Sequence, residues 1–268
     1  GDGGEYRAAL LNMGLRIATA PTARNRLTEF IQTRKPEAFA TCTDRIGWHG
    51  GAFVLPLMTI GDDAERVVFQ SENQMENTFR QKRDVADWVA RIGARCVGNS
   101  RLSFAVACAF AGPLLRPGGM ESGGFHFRGD SSSGKTTALR LAASVYGGQS
   151  YMQRWRTTDN ALEAIAAQHC DGLLILDELA QVDGKVAGEC AYMLANEQSK
   201  ARASRNGAAR ARLSWRLLFL SAGELGLADH MAEGGKRTRT GQEVRMADIP
   251  ADAGQGMGAF ECLHDAAD

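Results

Sequence analysis

The chain has 268 residues, 44% hydrophobic and 23% charged, which is long enough for one sizeable α/β domain with a smaller domain beside it. Its 31 basic and 31 acidic residues balance, so overall charge predicts no particular partner. However, 25 of the basic residues are arginine, and several crowd between Arg202 and Arg245, where a local phosphate-facing surface can form.

Cysteine usage and hydropathy bear on localisation. The six cysteines lack a Cys-x-x-Cys pair, which is typical of reduced thiols in a cytoplasmic protein. His169 beside Cys170 has no second pair at ligand spacing, so a zinc site is not expected. The longest apolar run, 102–115, contains Pro113 and is too short to cross a bilayer, so no membrane partner is expected. A chain that starts at Gly1 instead of methionine is expected to be a fragment or a processed product.

Residues 1–80 are predicted to form a small α+β N-terminal domain without a motif for chemistry. Its clearest feature is Gly50-Gly51, a two-residue turn between apolar stretches that predicts a β-hairpin. The predicted elements of this domain are a strand at 15–18, a helix at 23–33, hairpin strands at 45–49 and 52–55, and a strand at 67–70.

Residues 81–118 are predicted to form a helical lead-in to the next domain. Apolar residues fall on one face of 84–97, and Asp84 is placed to cap this helix. A second helix, 101–111, is apolar nearly all round, as expected of a buried helix. Pro117 and the two glycines after it then mark a linker.

Residues 119–268 are predicted to form an α/β domain that opens on a phosphate-binding loop. Residues 129–136 read G-D-S-S-S-G-K-T, which matches the pattern of glycine, four residues and Gly-Lys-Thr. A strand is predicted at 124–127 and a helix after the loop, so that N–H groups at the helix start can bind polyphosphate. Lys135 is expected to reach the β and γ phosphates, and the Thr136 hydroxyl to ligate Mg²⁺.

The segment after the loop helix contains one strand and one helix. The strand is predicted at 151–157 and the helix at 161–169. Asp159 or Asn160 is expected to cap this helix, with Glu163 completing a capping box.

The run 172–176 is continuously apolar, which predicts a central strand covered on both faces, and it ends in Asp177 and Glu178. Asp177 is expected to hold Mg²⁺ through its water shell, and Glu178 to polarise the attacking water. This acidic pair lies 42 residues after Lys135. Together the two motifs predict one NTPase site.

The spacing also indicates the branch of NTPases. An intervening strand and a glutamate beside the aspartate resemble the additional-strand catalytic-Glu division, which includes AAA+ ATPases and hexameric helicases. Nucleotide kinases and GTPases usually lack that glutamate, so hydrolysis is expected rather than phosphoryl transfer to a small molecule. The predicted fold is therefore an AAA+ P-loop NTPase core with a mostly parallel sheet.

A helix predicted at 187–198 leads into a basic segment, residues 200–213. Asn206-Gly207 is a preferred pair for a type I′ turn, so the segment is predicted to be a hairpin in which Arg205 faces Ala208. Neither face is apolar, so the hairpin is expected to project onto nucleic-acid phosphates, and the alternative is an exposed loop or a frayed helix. The residues predicted to contact nucleic acid are Lys200 and Arg202 on one side and Arg205, Arg210 and Arg212 on the other.

The next predicted strand, 215–220, is followed by Ser221, where AAA+ proteins place a sensor for the γ-phosphate or the lytic water. A structural cap for the following helix, 225–232, is the alternative. Arg237 and Arg239 come after that helix, and either can serve as a finger that stabilises transition-state charge on a neighbouring subunit, or can be solvated.

The closing strand is predicted at 242–249. No lid domain with a second sensor follows in the sequence, so the parent protein is expected to continue.

The runs GGFHFRGDSSSGKTTALRLAASVYG and WRTTDNALEAIAAQHCDGLLILDEL closely resemble the family catalogued as domain of unknown function 927. The resemblance also includes GWHGGAFVLP and SRLSFAVACAFAGPLL, so it extends over most of the chain. Members occur in replication proteins of plasmids, phages and integrative elements, often beside primase domains, and look like AAA+ ATPases of the hexameric replicative helicase type.

The resemblance implies ATP and Mg²⁺ as cofactors, single-stranded DNA in the pore of a hexamer, and a primase or polymerase of the same element as partner. It makes residues 200–212 the pore hairpin and Asp177 with Glu178 the hydrolytic pair. Ser221 departs from the Asn or Thr commonly found at the sensor. The implied ATP loop is Gly129, Asp130, Ser131, Ser132, Ser133, Gly134, Lys135, Thr136 and Thr137.

Three functions follow as hypotheses. The first is an ATP-driven DNA helicase or translocase that works as a ring in the replication of a mobile element. The second is an ATP-switched initiator or loader that binds DNA without unwinding it. The third, a small-molecule kinase, is disfavoured by Glu178 and by the lack of an acceptor site or lid.

Overall fold

The computed structural model describes residues 4–35, 37–71, 76–200, 212–233 and 245–264. The chain divides into two compact units, Gly1–Ala40 and Thr41–Asp268. In the first unit, the Tyr6 hydroxyl donates to Thr28 Oγ1 at 2.5 Å. The two helices of this unit are α1 (Gly4–Asn12) and α2 (Pro21–Thr33).

The strand predicted at 15–18 is wrong, because these residues form an irregular link between the two helices. Gly14 has φ +89°, a left-handed conformation that ends α1, and the Leu15 N–H donates back to the Leu10 carbonyl at 2.9 Å. Residues 14 and 15 therefore form the turn that ends α1 and do not begin a strand.

The predicted domain boundary at residue 80 falls inside the second unit. Within that unit the hairpin region contacts distant segments, because the Trp48 N–H donates to Asp171 Oδ2 at 2.9 Å and Trp48 Nε1 donates to the Pro113 carbonyl at 2.7 Å. Asp171 is fully buried, and Arg116 Nε donates to its Oδ1 at 2.8 Å. This buried carboxylate thus joins three distant segments of the chain.

The strands of the described residues form three sheets. Two short strands pair in parallel, β1 with β5, and β2, β3 and β4 form an antiparallel meander that confirms the predicted hairpin. The strands are β1 (Thr41–Thr43), β2 (Gly47–His49), β3 (Ala52–Val54), β4 (Thr59–Gly61), β5 (Val67–Phe69), β6 (Gly123–Arg128), β7 (Gln153–Arg154), β8 (Gly172–Asp177), β9 (Leu217–Gly223) and β10 (Met246–Pro250).

The helices of the second unit flank the largest sheet. In the lead-in, Asp84 caps its helix as predicted, with its carboxylate accepting from the Asp87 N–H at 2.8 Å, and a π-helical turn, Val89–Gly93, interrupts that helix. The helices are α3 (Val85–Trp88), α4 (Ala94–Cys96), α5 (Ser100–Ala111), α6 (Lys135–Ala143), α7 (Asp159–Gln168), α8 (Gly184–Ala195) and α9 (Leu227–Glu233).

The largest sheet has five parallel strands among the described residues, in the order β10-β6-β9-β8-β7. β9 lies between the phosphate-loop strand β6 and the acidic-pair strand β8, which confirms the additional strand. Leu174 and Leu176 pack into one hydrophobic cluster, whereas Leu173 and Ile175 pack into the other. β8 is therefore buried on both faces, as its uninterrupted apolar run predicted.

Two details near β7 differ from the sequence prediction. β7 has two residues instead of the predicted 151–157, because it is an edge strand that pairs only with β8 in the described sheet. Thr158, and not Asp159 or Asn160, caps α7 by accepting a hydrogen bond from the Ala161 N–H. Glu163 is buried and instead accepts from the Lys200 N–H at 3.1 Å.

Two buried histidines make stability depend on pH. Burial lowers the pKa of His126 and of His169 to about 4, from 6.5. Between pH 6.5 and 4 the unfolded chain binds protons that the folded chain does not, so the free energy of unfolding falls as pH falls through this window. We expect a loss of up to about 3 kcal/mol per histidine, measured by urea unfolding at pH 7, 5.5 and 4.5.

The variant His169→Gln is the matched test of this effect, since it removes one titrating group. The pH dependence of its unfolding should be weaker than that of the wild type by about half. Equal stability of the wild-type chain at pH 7 and pH 4.5 would contradict the prediction.

Candidate nucleotide-binding site

The phosphate-binding loop connects β6 to α6 at the carboxyl end of the sheet. Three of its residues have positive φ, at +154° for Gly129, +65° for Ser132 and +85° for Gly134. A side chain at Gly134 would place its Cβ 2.9 Å from Ala259 Cβ, so the turn into α6 requires glycine for both conformation and space. The sequence thus folds here into the predicted strand, loop and helix.

A cavity of about 620 Å³ opens beside this loop and contains most of the predicted nucleotide-binding residues. Residues 131–137 line it together with Asp177 and Glu178. Gly129 and Asp130 contribute backbone carbonyls that accept from Lys135 Nζ, at 2.6 Å and 2.5 Å. The loop, the lysine and the acidic pair therefore meet around one space.

Thr136 and Asp177, the two predicted Mg²⁺ ligands, both line the cavity, and the Thr136 side chain is close enough to Asp177 to lower the pKa of its carboxyl. Burial raises the pKa of Asp177, and the nearby Glu178 raises it further, while the Glu178 N–H, which donates to Asp177 Oδ1 at 2.9 Å, and Thr136 lower it. A hydroxyl and a partly buried carboxylate are hard oxygen ligands, and a cation beside them would relieve the burial penalty. These residues therefore fit Mg²⁺.

Glu178 follows β8 in a left-handed conformation, with φ +62°, which turns it out of the strand and into the cavity wall. Its carboxylate accepts from Gln181 Nε2 and lies 3.7 Å from Arg154 NH1 on the neighbouring strand β7. Glu178 is thus held by two side chains while it remains open to the cavity.

The sequence prediction missed seven cavity residues. Three of them, Ala180, Ala222 and Gly223, are small, and the four larger ones are Gln181, Glu224, Met257 and Phe260. Glu224 directly follows β9, so the rule that functional side chains follow parallel strands could have found it. Met257 and Phe260 lie in an irregular segment, where hydrophobic periodicity gives no indication of their position.

Ser221 is not brought to the cavity. β9 continues to Gly223, so Ser221 lies inside the strand with no exposed surface, and Gly223 and Glu224 occupy the strand end instead. The Ser221 hydroxyl accepts from Trp155 Nε1 at 2.8 Å and lies 3.0 Å from His126 Nδ1. Ser221 therefore forms a buried link between β6, β9 and the residue that follows β7, and its predicted sensor role stays a prediction.

Replacing Ser221 by alanine is expected to leave ATP turnover within about twofold of the wild type and to cost about 1–3 kcal/mol of stability, because Trp155 Nε1 loses its buried acceptor. Urea unfolding and steady-state phosphate release check the two parts. A turnover loss of more than tenfold at unchanged stability would restore the sensor role.

The base of the predicted hairpin is present. Gln198 and Ser214 form an antiparallel bridge, and Ser199 N–H donates to the Leu213 carbonyl at 2.9 Å. Trp215 N–H donates to the Glu197 carbonyl at 3.1 Å and extends this pairing. The predicted pairing of Arg205 with Ala208 lies outside the described residues.

Two of the five residues predicted to contact nucleic acid lie within the described residues. Lys200 and Arg212 come one residue beyond the paired residues on either strand. The other predicted contacts, Arg202, Arg205 and Arg210, and the two candidate fingers, Arg237 and Arg239, lie outside the described residues.

Glu197 also ties the hairpin base to the phosphate-loop strand. Its Oε1 accepts from both the N–H and the hydroxyl of Ser122, each at 2.9 Å, just before β6 begins. Leu217 N–H donates to the same Ser122 hydroxyl at 2.9 Å, where β9 begins. Arg216 Nε adds an ion pair to Glu197 at 3.2 Å.

A parallel sheet with an additional strand, a phosphate loop at its carboxyl end and an acidic pair beside the same cavity define an α/β P-loop NTPase fold. The chain belongs to the family described as Domain of unknown function (DUF927), whose model matches residues 1–214. None of the helices in the described residues is long and apolar enough to cross a membrane.

Comparison with solved structures supports the fold. The SCCmec type IV Cch active helicase matches over 91% of this chain and 46% of its own, at TM-score 0.66 and 19% identity. This chain therefore spans about half the length of that protein. NtrX from Brucella abortus in complex with ADP matches 69% of this chain and 44% of its own at 15% identity, but its TM-score of 0.30 is too low to bear on fold or ligand. No curated protein sequence matches significantly.

Proposed function

We propose that this chain is the AAA+ motor of a DNA helicase or translocase that hydrolyses ATP during replication of a mobile genetic element. The observation that carries the proposal is the meeting of residues 131–137, Asp177 and Glu178 around one cavity. The fold similarity to a protein whose name reads SCCmec active helicase supports the motor class and the mobile element.

Residues of this chain divide the work of hydrolysis. Backbone N–H groups of the loop bind the phosphates, and Lys135 exchanges its contacts with the Gly129 and Asp130 carbonyls for phosphate oxygens. Glu178 accepts a proton from, and orients, the attacking water. Mg²⁺, held by Thr136 and Asp177, supplies charge neutralisation at the phosphates when it is bound.

The basic segment 200–212 is proposed to contact single-stranded DNA in the pore of a ring, which we take to be a hexamer. Arg237 or Arg239 completes the neighbouring subunit's site, because positive charge there stabilises the transition state. A primase or polymerase of the same element is the proposed partner, and the cytoplasm the proposed location.

DNA-dependent turnover tests the proposal. ATP hydrolysis is measured with and without single-stranded DNA, alongside molecular mass in a non-hydrolysable analogue and displacement of a labelled strand, with Lys135→Ala as the inactive control. DNA-stimulated turnover, a ring mass and strand displacement support the motor. Assembly on DNA without displacement would favour the initiator or loader, and turnover indifferent to DNA would contradict both.

A further inference from the structure

The irregular segment that follows β10, residues 251–264, is fitted closely to the phosphate loop. Ala259 N–H donates to the Ser133 carbonyl at 2.9 Å. A Cβ at Gly258 would lie 2.7 Å from the same carbonyl oxygen, so the two backbones approach as near as glycine permits. This close approach holds the segment beside the start of α6.

The same segment is fastened to the start of α5. Asn99 is 1% exposed, and its Oδ1 accepts from the Glu261 N–H at 2.8 Å and from the Cys262 N–H at 3.1 Å. The Ser100 hydroxyl donates to Glu261 Oε1 at 2.5 Å, and Arg101 Nε donates to the Pro250 carbonyl at 3.0 Å. Hydrogen bonds therefore hold the backbone of the segment beside the cavity at both ends, since Arg101 also donates to the Asp252 carbonyl at 3.1 Å.

The cavity wall that this segment supplies differs in chemistry from the rest. Met257 and Phe260 are the two large apolar side chains among the described residues that line the cavity, and the other apolar side chains there are Ala180 and Ala222. Met257 is 39% exposed, whereas Phe260 is half-buried with its ring packed against a core cluster. A flexible thioether and a fixed ring thus face the same space.

A nucleoside triphosphate has the matching polarity, with a charged end and a flat apolar end. We assign the phosphate end to residues 131–137. Phe260 lies close to this loop, because the preceding residue, Ala259, donates its N–H to the Ser133 carbonyl. A planar base beside Phe260 would bury apolar surface and stack on the ring, and the polarizable Met257 thioether, which lines the same cavity, adds apolar surface for contact.

We propose that Met257 and Phe260 form the subsite for the nucleotide base, a proposal that rests on the proposed NTPase function. Neither side chain carries a strong hydrogen-bonding group, so this wall selects bases by stacking area. Purine triphosphates bind better than pyrimidine triphosphates, and ATP and GTP bind nearly alike.

Affinities of the full chain for ATP, GTP, CTP and inorganic tripolyphosphate, measured by calorimetry with Mg²⁺, test the subsite. We expect ATP and GTP to bind within about threefold of each other, and tripolyphosphate at least about tenfold more weakly than ATP. Phe260→Ala should weaken ATP binding about tenfold and leave tripolyphosphate binding unchanged. Phe260→Leu, which keeps an apolar core contact, should show a smaller loss in the same direction.

The control is Leu263→Ala, which removes an exposed apolar side chain of the same segment outside the cavity and should bind all four ligands as the wild type does. Equal binding of ATP and tripolyphosphate by the wild type would overturn the base subsite but keep the phosphate site. Loss of tripolyphosphate binding in both Phe260 variants would overturn it too, because Phe260 would then merely support the loop. Failure of the wild type to bind any of the four would instead reject the NTPase function.

Discussion

Replacement of Glu178 by glutamine is expected to reduce ATP turnover by at least about 100-fold while the Kd for ATP stays within about threefold. Glutamine keeps the size of the side chain and can still accept from Gln181 Nε2, but its amide cannot take a proton from water. The loop and Lys135, which are the proposed phosphate ligands, are unchanged. Steady-state phosphate release and nucleotide binding, measured on the same preparation, check the two parts.

Two further variants sharpen this test. Glu189→Gln removes the same charge from an exposed carboxylate on α8, 3.9 Å from Lys185 Nζ and outside the cavity residues, and should turn over like the wild type. Glu224→Gln alters the other glutamate of the cavity. Full turnover in Glu178→Gln together with lost turnover in Glu224→Gln would transfer the role of general base to Glu224.

The double variant Arg210→Ala with Arg212→Ala is expected to bind single-stranded DNA more weakly and with a smaller dependence on salt. Each lost phosphate contact lowers the slope of log K against log salt by about 0.7, so the pair should lower it by about 1.4. Basal ATP turnover should stay within about twofold, because the cavity lies at the other end of the sheet. Fluorescence anisotropy between about 50 and 200 mM salt provides the measurement.

The matched control removes two arginines from an exposed site around the start of α3. Arg83 and Arg91 both pair with Asp87, at 3.1 Å and 2.7 Å, and their replacement by alanine changes the net charge equally. If the control lowers DNA affinity as much as the Arg210 and Arg212 variant does, or if that variant binds DNA normally, the hairpin is not the DNA contact.

Strands and motifs with strong local patterns were predictable from sequence. β8 has the predicted ends, because a strand buried on both faces carries an unbroken apolar run that stops where the carboxylates begin. The phosphate loop was equally predictable from sequence, because Gly129 and Gly134 adopt positive φ angles that favour glycine. The strand at 15–18 failed because a short apolar stretch does not reveal whether a pairing partner exists.

Only some of the residues that line the cavity were predictable from sequence. Ser221 was read as a strand end because a serine follows the apolar run 215–220, yet its partners His126 and Trp155 lie 95 and 66 residues away in sequence. Local pattern carries no information on such distant partners. Met257 and Phe260 were missed for a similar reason, because their place depends on backbone contacts to Ser133 and not on a periodic pattern.

The link formed by Glu197, Ser122 and Leu217 has a mechanical consequence. It joins the base of the predicted hairpin to β6 and β9 at the amino ends of these strands. The phosphate loop, in contrast, begins at the carboxyl end of β6. Six residues of extended chain separate the two ends by about 20 Å. A ligand on the basic segment and a nucleotide at the phosphate loop would therefore lie near opposite ends of β6, and a shift of this strand along its axis would displace both.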